Sequence, residues 1–321
     1  PLLTALDGLK GPVRLAARDV AYGEEVAARL ECSYFGVDLP CWDYANYPSL
    51  KPDEVPESDG ALVQASVLAN ALDRAQWCVG KNTSKYRLDC VCLGATDRGL
   101  YVAASDANAM VKVALGPGAI DLPDGQALIS AASARKLRQI LERVSSNASV
   151  RFEDGCMAVR AGSRTISVRL AEGRFPDPDA LLPPNDAFCS VIAADAPMLS
   201  SFKKFAKLAG KGSGAVRMEM PEQASALSLT FERRGSGLKV QDFVLCARTG
   251  DGNFSAEVEP KRMAQALEAN AKALKLLGPS GKGYATETEI GYRGRYDPLL
   301  LRSRTDKQES WILVSTSTYR N

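Results

Sequence analysis

Lysine and arginine residues recur in those parts of the chain where apolar residues follow a helical period. The clusters are Arg135, Lys136 and Arg138; Lys203, Lys204, Lys207 and Lys211; and Lys261 and Arg262. Such rows of cations could hold the phosphate groups of a nucleic acid through contacts that do not depend on base sequence. An ordinary solvated helix face carries the same residue types, so the clusters alone leave both interpretations open.

The composition excludes most nucleophilic catalysis. The chain contains no histidine, which rules out systems built on Ser-His or Cys-His pairs and leaves only activation by lysine open. Two glycine-rich loops, 210–214 and 278–283, contain lysine but do not match the phosphate-binding loop, because Lys282 is followed by Gly283. The carboxylates are scattered rather than convergent, as a two-metal site would require. We therefore expect a protein that is not an enzyme and holds no metal and no cofactor.

Length and charge set broad limits on organisation and location. A chain of 321 residues is expected to form two or three domains. The net charge of +2 gives no global field, so any basic surface must come from uneven distribution. No apolar run approaches the roughly 20 residues of a membrane span. The eight cysteines form no Cys-x-x-Cys pair, which favours reduced thiols that fill the cores of a cytoplasmic protein.

An internal repeat organises the sequence. Four segments, beginning at residues 62, 128, 190 and 255, each contain a strand-like run that leads into an amphipathic helix. The helices are predicted over 68–78, 134–144, 197–209 and 260–277, with Ser66, Ser133 and Asp195 as N-cap candidates. Strand patterns follow each helix, so the repeated unit is β-α-β-β-β, and a near-constant spacing indicates one supersecondary unit used several times.

Pairs of these units predict the domain boundaries. Residues 61–184 and 186–321 are each expected to form a complete domain, separated by segments rich in proline and acidic residues. Residues 1–58 look like one unit without its first strand, with strands predicted over 13–17 and 26–37. We therefore expect them to be the second half of a further domain whose first half is absent.

A proline-marked corner closes the second unit. It reads Gly173-Arg174-Phe175-Pro176-Asp177 and continues to a second stop at Pro183. Pro176 fixes its own backbone and pushes Phe175 towards an extended conformation. Phe175 is thus expected to act as an apolar plug at a junction between domains, with a looser echo at residues 47–52.

Three stretches of the sequence carry a resemblance to a known family. They are the corner itself, the segment Lys85-Tyr86-Arg87-Leu88-Asp89 and the run from Tyr101 to Met110. With the repeat, they resemble the bacterial sliding clamps, the beta subunits of DNA polymerase III. The family usually has Ala-Thr-Asp-Gly-His-Arg-Leu at the end of the third stretch. Here Ala104 and Asp106 match it, and Ser105 is a near match. The next three residues, 107–109, depart from the pattern.

The resemblance implies an α+β DNA-clamp fold in which helices line a ring and antiparallel sheets form its outer wall. It implies a processivity factor that encircles duplex DNA and tethers DNA polymerase, with polymerase and clamp loader bound through short linear peptides. A homodimer is expected when the chain is full length. The main alternative is a clamp-fold scaffold that binds peptides without loading on DNA, and a more distant one is a small-molecule enzyme built on the same repeats.

The resemblance also assigns residues to DNA binding. The basic helical clusters described above are expected to face the duplex. A loop expected to touch DNA at the inner edge of the ring adds Lys81, Asn82, Lys85, Tyr86 and Arg87.

A second set is assigned to a peptide-binding pocket between the middle and last domains. Its members are Leu88, Ser105, Asp106, Asn108, Met110, Pro176, Leu181 and the terminal strand residues Leu313, Val314, Ser315, Thr316 and Ser317. Plain core packing is the competing explanation for the aliphatic members Leu88, Leu181 and Val314.

Overall fold

The computed structural model describes most of the chain. The described residues are 11–17, 27–32, 35–40, 60–82, 85–97, 99–116, 122, 125–153, 155–182, 189–210, 214–233, 235–250, 253–277, 287–293, 298–304 and 309–316. The chain divides into two compact units, Pro1–Glu54 and Val55–Asn321. None of the described helices combines the length and the apolar character needed to cross a bilayer.

The described part of the first unit is an antiparallel sheet of three strands in the order β1-β2-β3. These are β1 (Arg14–Ala17), β2 (Ala27–Cys32) and β3 (Phe35–Pro40). The single strand predicted over 26–37 was wrong: the chain reverses between Cys32 and Phe35, which are paired in a hairpin. Residues 47–52, where a second corner was predicted, lie outside the described residues.

The second unit follows the predicted β-α-β-β-β order four times. Its first half contains β4 (Ala61–Gln64), α1 (Ala65–Gln76), β5 (Cys90–Thr96), β6 (Gly99–Ser105), β7 (Ala109–Gly116), β8 (Gln126–Ser130), α2 (Ala131–Leu141), β9 (Asn147–Glu153), β10 (Cys156–Ala161) and β11 (Arg164–Arg169). Its second half contains β12 (Cys189–Ala194), α3 (Asp195–Ala209), β13 (Gly214–Met220), β14 (Ala226–Arg233), β15 (Lys239–Thr249), β16 (Phe254–Val258), α4 (Pro260–Leu277), β17 (Glu287–Tyr292), β18 (Leu299–Arg304) and β19 (Glu309–Val314).

Each repeat gives its first strand to its partner repeat. β4 pairs with β9 and β8 pairs with β5, so the first strand of each repeat joins the three later strands of the partner repeat. In the second half, β16 pairs with β13 in the same way, and β12 pairs both with β17 of the partner repeat and with β15 of its own repeat. A single repeat therefore cannot complete its own sheet, which is the physical reason that the repeats occur in pairs.

One sheet runs through both halves of this unit. Its twelve strands lie in the order β16-β13-β14-β15-β12-β17-β18-β19-β7-β6-β5-β8, and a separate sheet has the order β11-β10-β9-β4. The two halves meet where β19 pairs with β7, over the register from Ser310↔Val113 to Val314↔Ala109. The sequence predicted a boundary between these halves but not the continuous backbone pairing that joins them.

Two apolar clusters lie on opposite faces of the long sheet. Along β5, Val91 and Leu93 belong to the main core, which also contains the inner faces of the four helices. The alternate residues Cys90 and Cys92 face a smaller cluster that includes Phe175. Phe175 is buried there, as its expected role as an apolar plug requires.

The helices begin earlier than predicted in the first half of the unit. α2 is capped by Ser130, whose Oγ accepts a hydrogen bond from the Ser133 amide at 3.1 Å. Ser133 was therefore the wrong N-cap candidate, because an N-cap bonds to the amide two or three residues after it and Ser130 already occupies that place. Ser66 and Asp195 also lie inside their helices, after the caps Gln64 and Ala194.

A buried polar cluster connects α1 to the second half of the unit. Arg74 on α1 is 3% exposed and donates through Nη2 to Asn270 Oδ1 (2.6 Å), to Ser303 Oγ (3.2 Å) and to Ser310 Oγ. Burial lowers the pKa of Arg74 to about 10, and the charge of buried Asp195 opposes that shift. The guanidinium therefore remains charged at neutral pH and joins elements that lie far apart in sequence.

Candidate functional site

A groove opens where β7 meets β19. It has a volume of about 480 Å³. Its lining residues are Ser105, Ala107, Asn108, Ala109, Met110, Leu181, Pro298, Leu313, Ser315 and Thr316. The β6–β7 connection supplies one wall, the end of β19 supplies another, and Leu181 approaches from the corner segment. Apolar side chains thus lie beside hydroxyl and amide groups in one concave surface.

The other residues predicted for peptide binding lie elsewhere. Leu88 and Val314 are buried in the two apolar clusters, and Pro176 is not among the described residues that line the groove. Asp106 belongs to the β6–β7 connection but does not line the groove. Ser317 lies outside the described residues. The lining residues Ala107, Ala109 and Pro298 were missed. The first two are positions where the sequence departs from the family pattern, and no motif in the sequence marks Pro298.

The β6–β7 connection, residues 105–109, is called the rim turn below. Ser105 Oγ donates to the Ala109 carbonyl at 2.9 Å and accepts from the Ala107 amide at 3.2 Å. Asp106 Oδ1 accepts from the amides of Asn108 (2.9 Å) and Ala109 (2.7 Å). Side chains within the turn thus satisfy most of its own amides, as short polar residues commonly do in loops.

The corner segment brings Leu181 to the groove. Asp179 begins a short 3-10 turn that ends at Leu181, and its carboxylate accepts from Lys112 Nζ on β7 at 2.5 Å. Gly173 has φ 124°, and a Cβ on it would lie 2.5 Å from Arg87 Cγ. Only glycine suits this position, because the backbone conformation and the close approach both exclude a side chain.

The loop predicted to touch DNA is partly tied to this corner. Arg87 donates from its amide to the Arg174 carbonyl (2.8 Å) and from Nη1 to the Glu172 carbonyl (2.9 Å). Its guanidinium also bonds to Asp89, which lowers the pKa of that carboxyl. Lys85 lies over the Tyr86 ring at 5.0 Å. Lys81, Asn82 and Lys85 are exposed, so they are the members of the loop most available to a ligand.

The basic helical clusters differ in how many of their charges are neutralised. On α3, Lys203 lies 3.5 Å from Glu268 and Lys204 lies 3.8 Å from Asp242. Lys207 is exposed and has no ion-pair partner among the described residues. Since surface pairs at these distances are weak, all three ammonium groups stay available to phosphate. Lys211 lies outside the described residues.

The cations of α2 and α4 also fall into two groups, those that are exposed and those that are paired with carboxylates. Arg135, Lys136 and Lys261 are exposed. Arg138 pairs with Asp73 at 3.3 Å and with Glu142 at 2.6 Å. Arg262 pairs with Asp106 at 2.5 Å. The arrangement therefore offers a set of available cations on three helices, with Arg138 and Arg262 held by carboxylates.

The described part of the chain offers little for nucleophilic or metal chemistry. No group of three or more His, Cys, Asp or Glu side chains among the described residues could hold a metal ion. Cys78 and Cys92 are fully buried, and burial raises the pKa of both thiols, that of Cys92 to about 12. Thiols of this kind fill cores and do not react.

Comparison with known proteins gives no match in sequence but a clear one in structure. No family model matches the chain, and no curated protein is similar to it in sequence. The DNA polymerase sliding clamp of Bacillus subtilis superposes with a TM-score of 0.77 at 17% identity, over 99% of this chain and 78% of that one. The C. crescentus beta sliding clamp gives 0.78 at 14% identity, over 99% and 79%. The DNA polymerase III subunit beta of Pseudomonas aeruginosa gives 0.76 at 16% identity, over 99% and 80%. The chain therefore has the fold of the bacterial DNA polymerase sliding clamps, as its repeat and corner motif predicted.

Proposed function

We propose that this protein is a sliding clamp, a processivity factor that encircles duplex DNA and tethers DNA polymerase to it. The observation that carries the proposal is the groove at the β7–β19 junction, in a chain with the clamp fold. The clamp's task is topological linkage and attachment of partners. The proposed activity therefore needs a closed ring and a binding groove but no catalytic group.

The groove suits a short peptide with an apolar anchor. Met110, Leu181 and Leu313 provide apolar surface, while Ser105 and Ser315 place polar groups beside it. Interfaces draw most of their binding energy from a few large side chains held in well-packed pockets near the centre. We assign the groove to the linear peptides of DNA polymerase and the clamp loader.

The available cations of the helices are proposed to face the DNA. Lys203, Lys204 and Lys207 on α3, Arg135 and Lys136 on α2, and Lys261 on α4 carry this assignment. Helices of this kind hold phosphates without reading bases, so the contact would depend on salt and not on sequence. Weak, mobile contacts are sufficient, because linkage of ring and duplex keeps the protein in place.

Ring closure requires a surface for a second copy of the chain. β15 presents Phe243 and Leu245 on the same face of the sheet, 63% and 79% exposed. Apolar side chains this exposed and this close together are typical of interaction surfaces. We propose that this face takes part in the contact between copies of a homodimer.

Retention on circular DNA tests the function. The full-length protein is loaded by a clamp loader onto nicked circular DNA, and the excess is removed by gel filtration. A clamp remains on the circle and dissociates when a restriction enzyme linearises it. Equal retention on circular and linear DNA, or none on either, would contradict the proposal.

A scaffold that binds peptides without encircling DNA is the second candidate. The observation in its favour is that Arg87, Arg138 and Arg262, three of the predicted DNA contacts, are held by carboxylates. Such a protein would bind an anchor peptide with the same affinity with or without DNA, and it would fail the retention assay.

A further inference from the structure

Arg262 and Asp106 form an ion pair between the helical layer and the rim turn. Arg262 is on α4 and Asp106 is in the β6–β7 connection, 156 residues away in sequence. Arg262 Nη1 donates to Asp106 Oδ2 at 2.5 Å, and the two side chains are only 19% and 24% exposed. Charge-assisted hydrogen bonds of this length, with little access to water, are stronger than neutral ones.

The two oxygens of Asp106 have separate tasks. Oδ1 accepts from the amides of Asn108 and Ala109, which shapes the turn from within. Oδ2 is held from outside by Arg262. The direction in which the carboxylate points is therefore set by Arg262, and the backbone of the turn follows the carboxylate.

The rim turn needs such support because its backbone is strained. Ala107 has φ 72°, the only non-glycine residue with positive φ in the described part of the chain. Residues with a Cβ rarely adopt this conformation, and it persists only where the surroundings impose it. Asp106 cannot retreat behind the turn, because Gly80 packs so closely that a Cβ there would lie 2.6 Å from Asp106 Cα.

The turn also contacts the other wall of the groove. The Ser315 amide donates to the Asn108 carbonyl at 2.9 Å, so a shift of the turn would move the end of β19 as well. Ala107, Asn108 and Ala109 all line the groove. The position of this one turn therefore affects the shape of both walls of the groove.

We propose that Arg262 is a positioning residue for the groove and not a contact to DNA. It holds Asp106, and Asp106 holds the rim turn in the conformation that accepts a peptide anchor. The inference rests on the proposed peptide-binding function of the groove. It adds that a residue of the helical layer, outside the groove, controls its affinity.

The test compares Arg262→Gln, Asp106→Asn and the conservative variant Arg262→Lys in the full-length chain. Peptide affinity is measured by fluorescence polarisation, with a fluorescein-labelled peptide that carries leucine and phenylalanine as its apolar anchors. Hydrogen exchange over residues 105–109, measured by mass spectrometry without peptide, reports on the turn itself. Lys239→Gln, which removes an exposed ion pair with Glu232 at 3.0 Å, is the matched control.

We expect Arg262→Gln and Asp106→Asn each to raise exchange at the turn and to weaken peptide binding about tenfold, because the competent conformation becomes a minor one. The double variant should be no worse than either single one, since both remove the same ion pair. Arg262→Lys should restore part of the affinity, and Lys239→Gln should change neither measurement.

The outcomes separate this inference from the proposed function. Failure of the wild-type protein to bind the peptide would refute the function of the groove. Binding by the wild type with unchanged exchange and affinity in both variants would overturn the positioning role alone. Loss of DNA retention in Arg262→Gln with an unchanged turn would return Arg262 to the DNA contacts.

Discussion

Replacing Arg74 tests how the two halves of the larger unit are held together. The guanidinium is almost fully buried and bonds to Asn270, Ser303 and Ser310. Removing one partner of a buried charged network typically costs about 3–5 kcal/mol, because the groups left behind lose their partners without gaining water. We therefore expect Arg74→Ala to lower the free energy of unfolding by about 4 kcal/mol.

Part of this cost should be recoverable. Ser303 and Ser310 lie 2.8 Å apart and Ser303 Oγ reaches Asn270 Oδ1 at 3.4 Å, so these groups can bond to one another without the guanidinium. Arg74→Met fills most of the volume and should cost about half as much as Arg74→Ala. Asp195→Asn should then be less harmful in the Arg74→Met background than in the wild type, since Asp195 no longer has a cation to balance.

The assay is urea unfolding of the full chain, followed by circular dichroism. Lys239→Ala serves as the control, because its ion pair with Glu232 is exposed and should be worth less than about 1 kcal/mol. A loss for Arg74→Ala as small as that of the control would refute the reasoning. It would mean that water replaces the guanidinium in the cavity.

Three further predictions concern DNA, assembly and pH. The first concerns the exposed lysines of α3, which are Lys203, Lys204 and Lys207. Changing all three to glutamine should lower the slope of log affinity against log salt by about three, one for each phosphate that is no longer neutralised; an unchanged slope would remove α3 from the DNA-facing surface. The second changes Phe243 and Leu245 to serine. The dimer dissociation constant, measured by sedimentation equilibrium, should rise about 30-fold or more, since burial of the two side chains contributes about 2–4 kcal/mol. An unchanged constant would show that this face is not the contact between copies. Asp242 has a lowered pKa, chiefly because Ser201 Oγ donates to it at 2.7 Å. The contribution of the ionised Asp242 carboxylate to folding stability is therefore complete above the ordinary carboxyl pKa of 3.8. It is lost as the pH falls through the lower pKa that Asp242 has in the folded protein. The difference in unfolding free energy between wild type and Ser201→Ala should be constant near neutral pH and shrink in acid, and a difference that persists in acid would contradict this assignment.

The repeated architecture could be predicted because it depends on local patterns. Strand alternation, helical spacing and the near-constant distance between helices are visible in one sequence. All four helices lie where they were expected: α4 begins at the predicted residue and the other three begin two or three residues earlier. The exchange of β4 and β8 between repeats could not be predicted, because Ala61 and Val63 would show the same inward pattern in either sheet. Partner choice is decided by tertiary packing.

Only part of the candidate site could be predicted from the sequence. Ser105, Asn108, Met110 and Ser315 come from the family resemblance, and the structure brings them to one groove. Arg262 was grouped with the DNA-facing cations because a sequence shows charge but not its partner, and its partner is 156 residues away. Pro298 carries no signal at all.

The exchange of first strands has a consequence for how the protein is made. β4 emerges from the ribosome long before its partner β9, with α1, β5, β6, β7, β8 and α2 between them. Co-translational folding of the first repeat must therefore wait until β8 and β9 of the second have emerged, which gives the fold a high contact order and exposes sheet edges to other nascent chains. The smallest segment that can be excised, grafted or expressed with its exchanged strands beside their partners is thus a pair of repeats, and such a cut separates β7 from β19. If the chain is cut between the two repeats of one pair, neither fragment should fold alone, and the sheets should form when the two fragments are mixed.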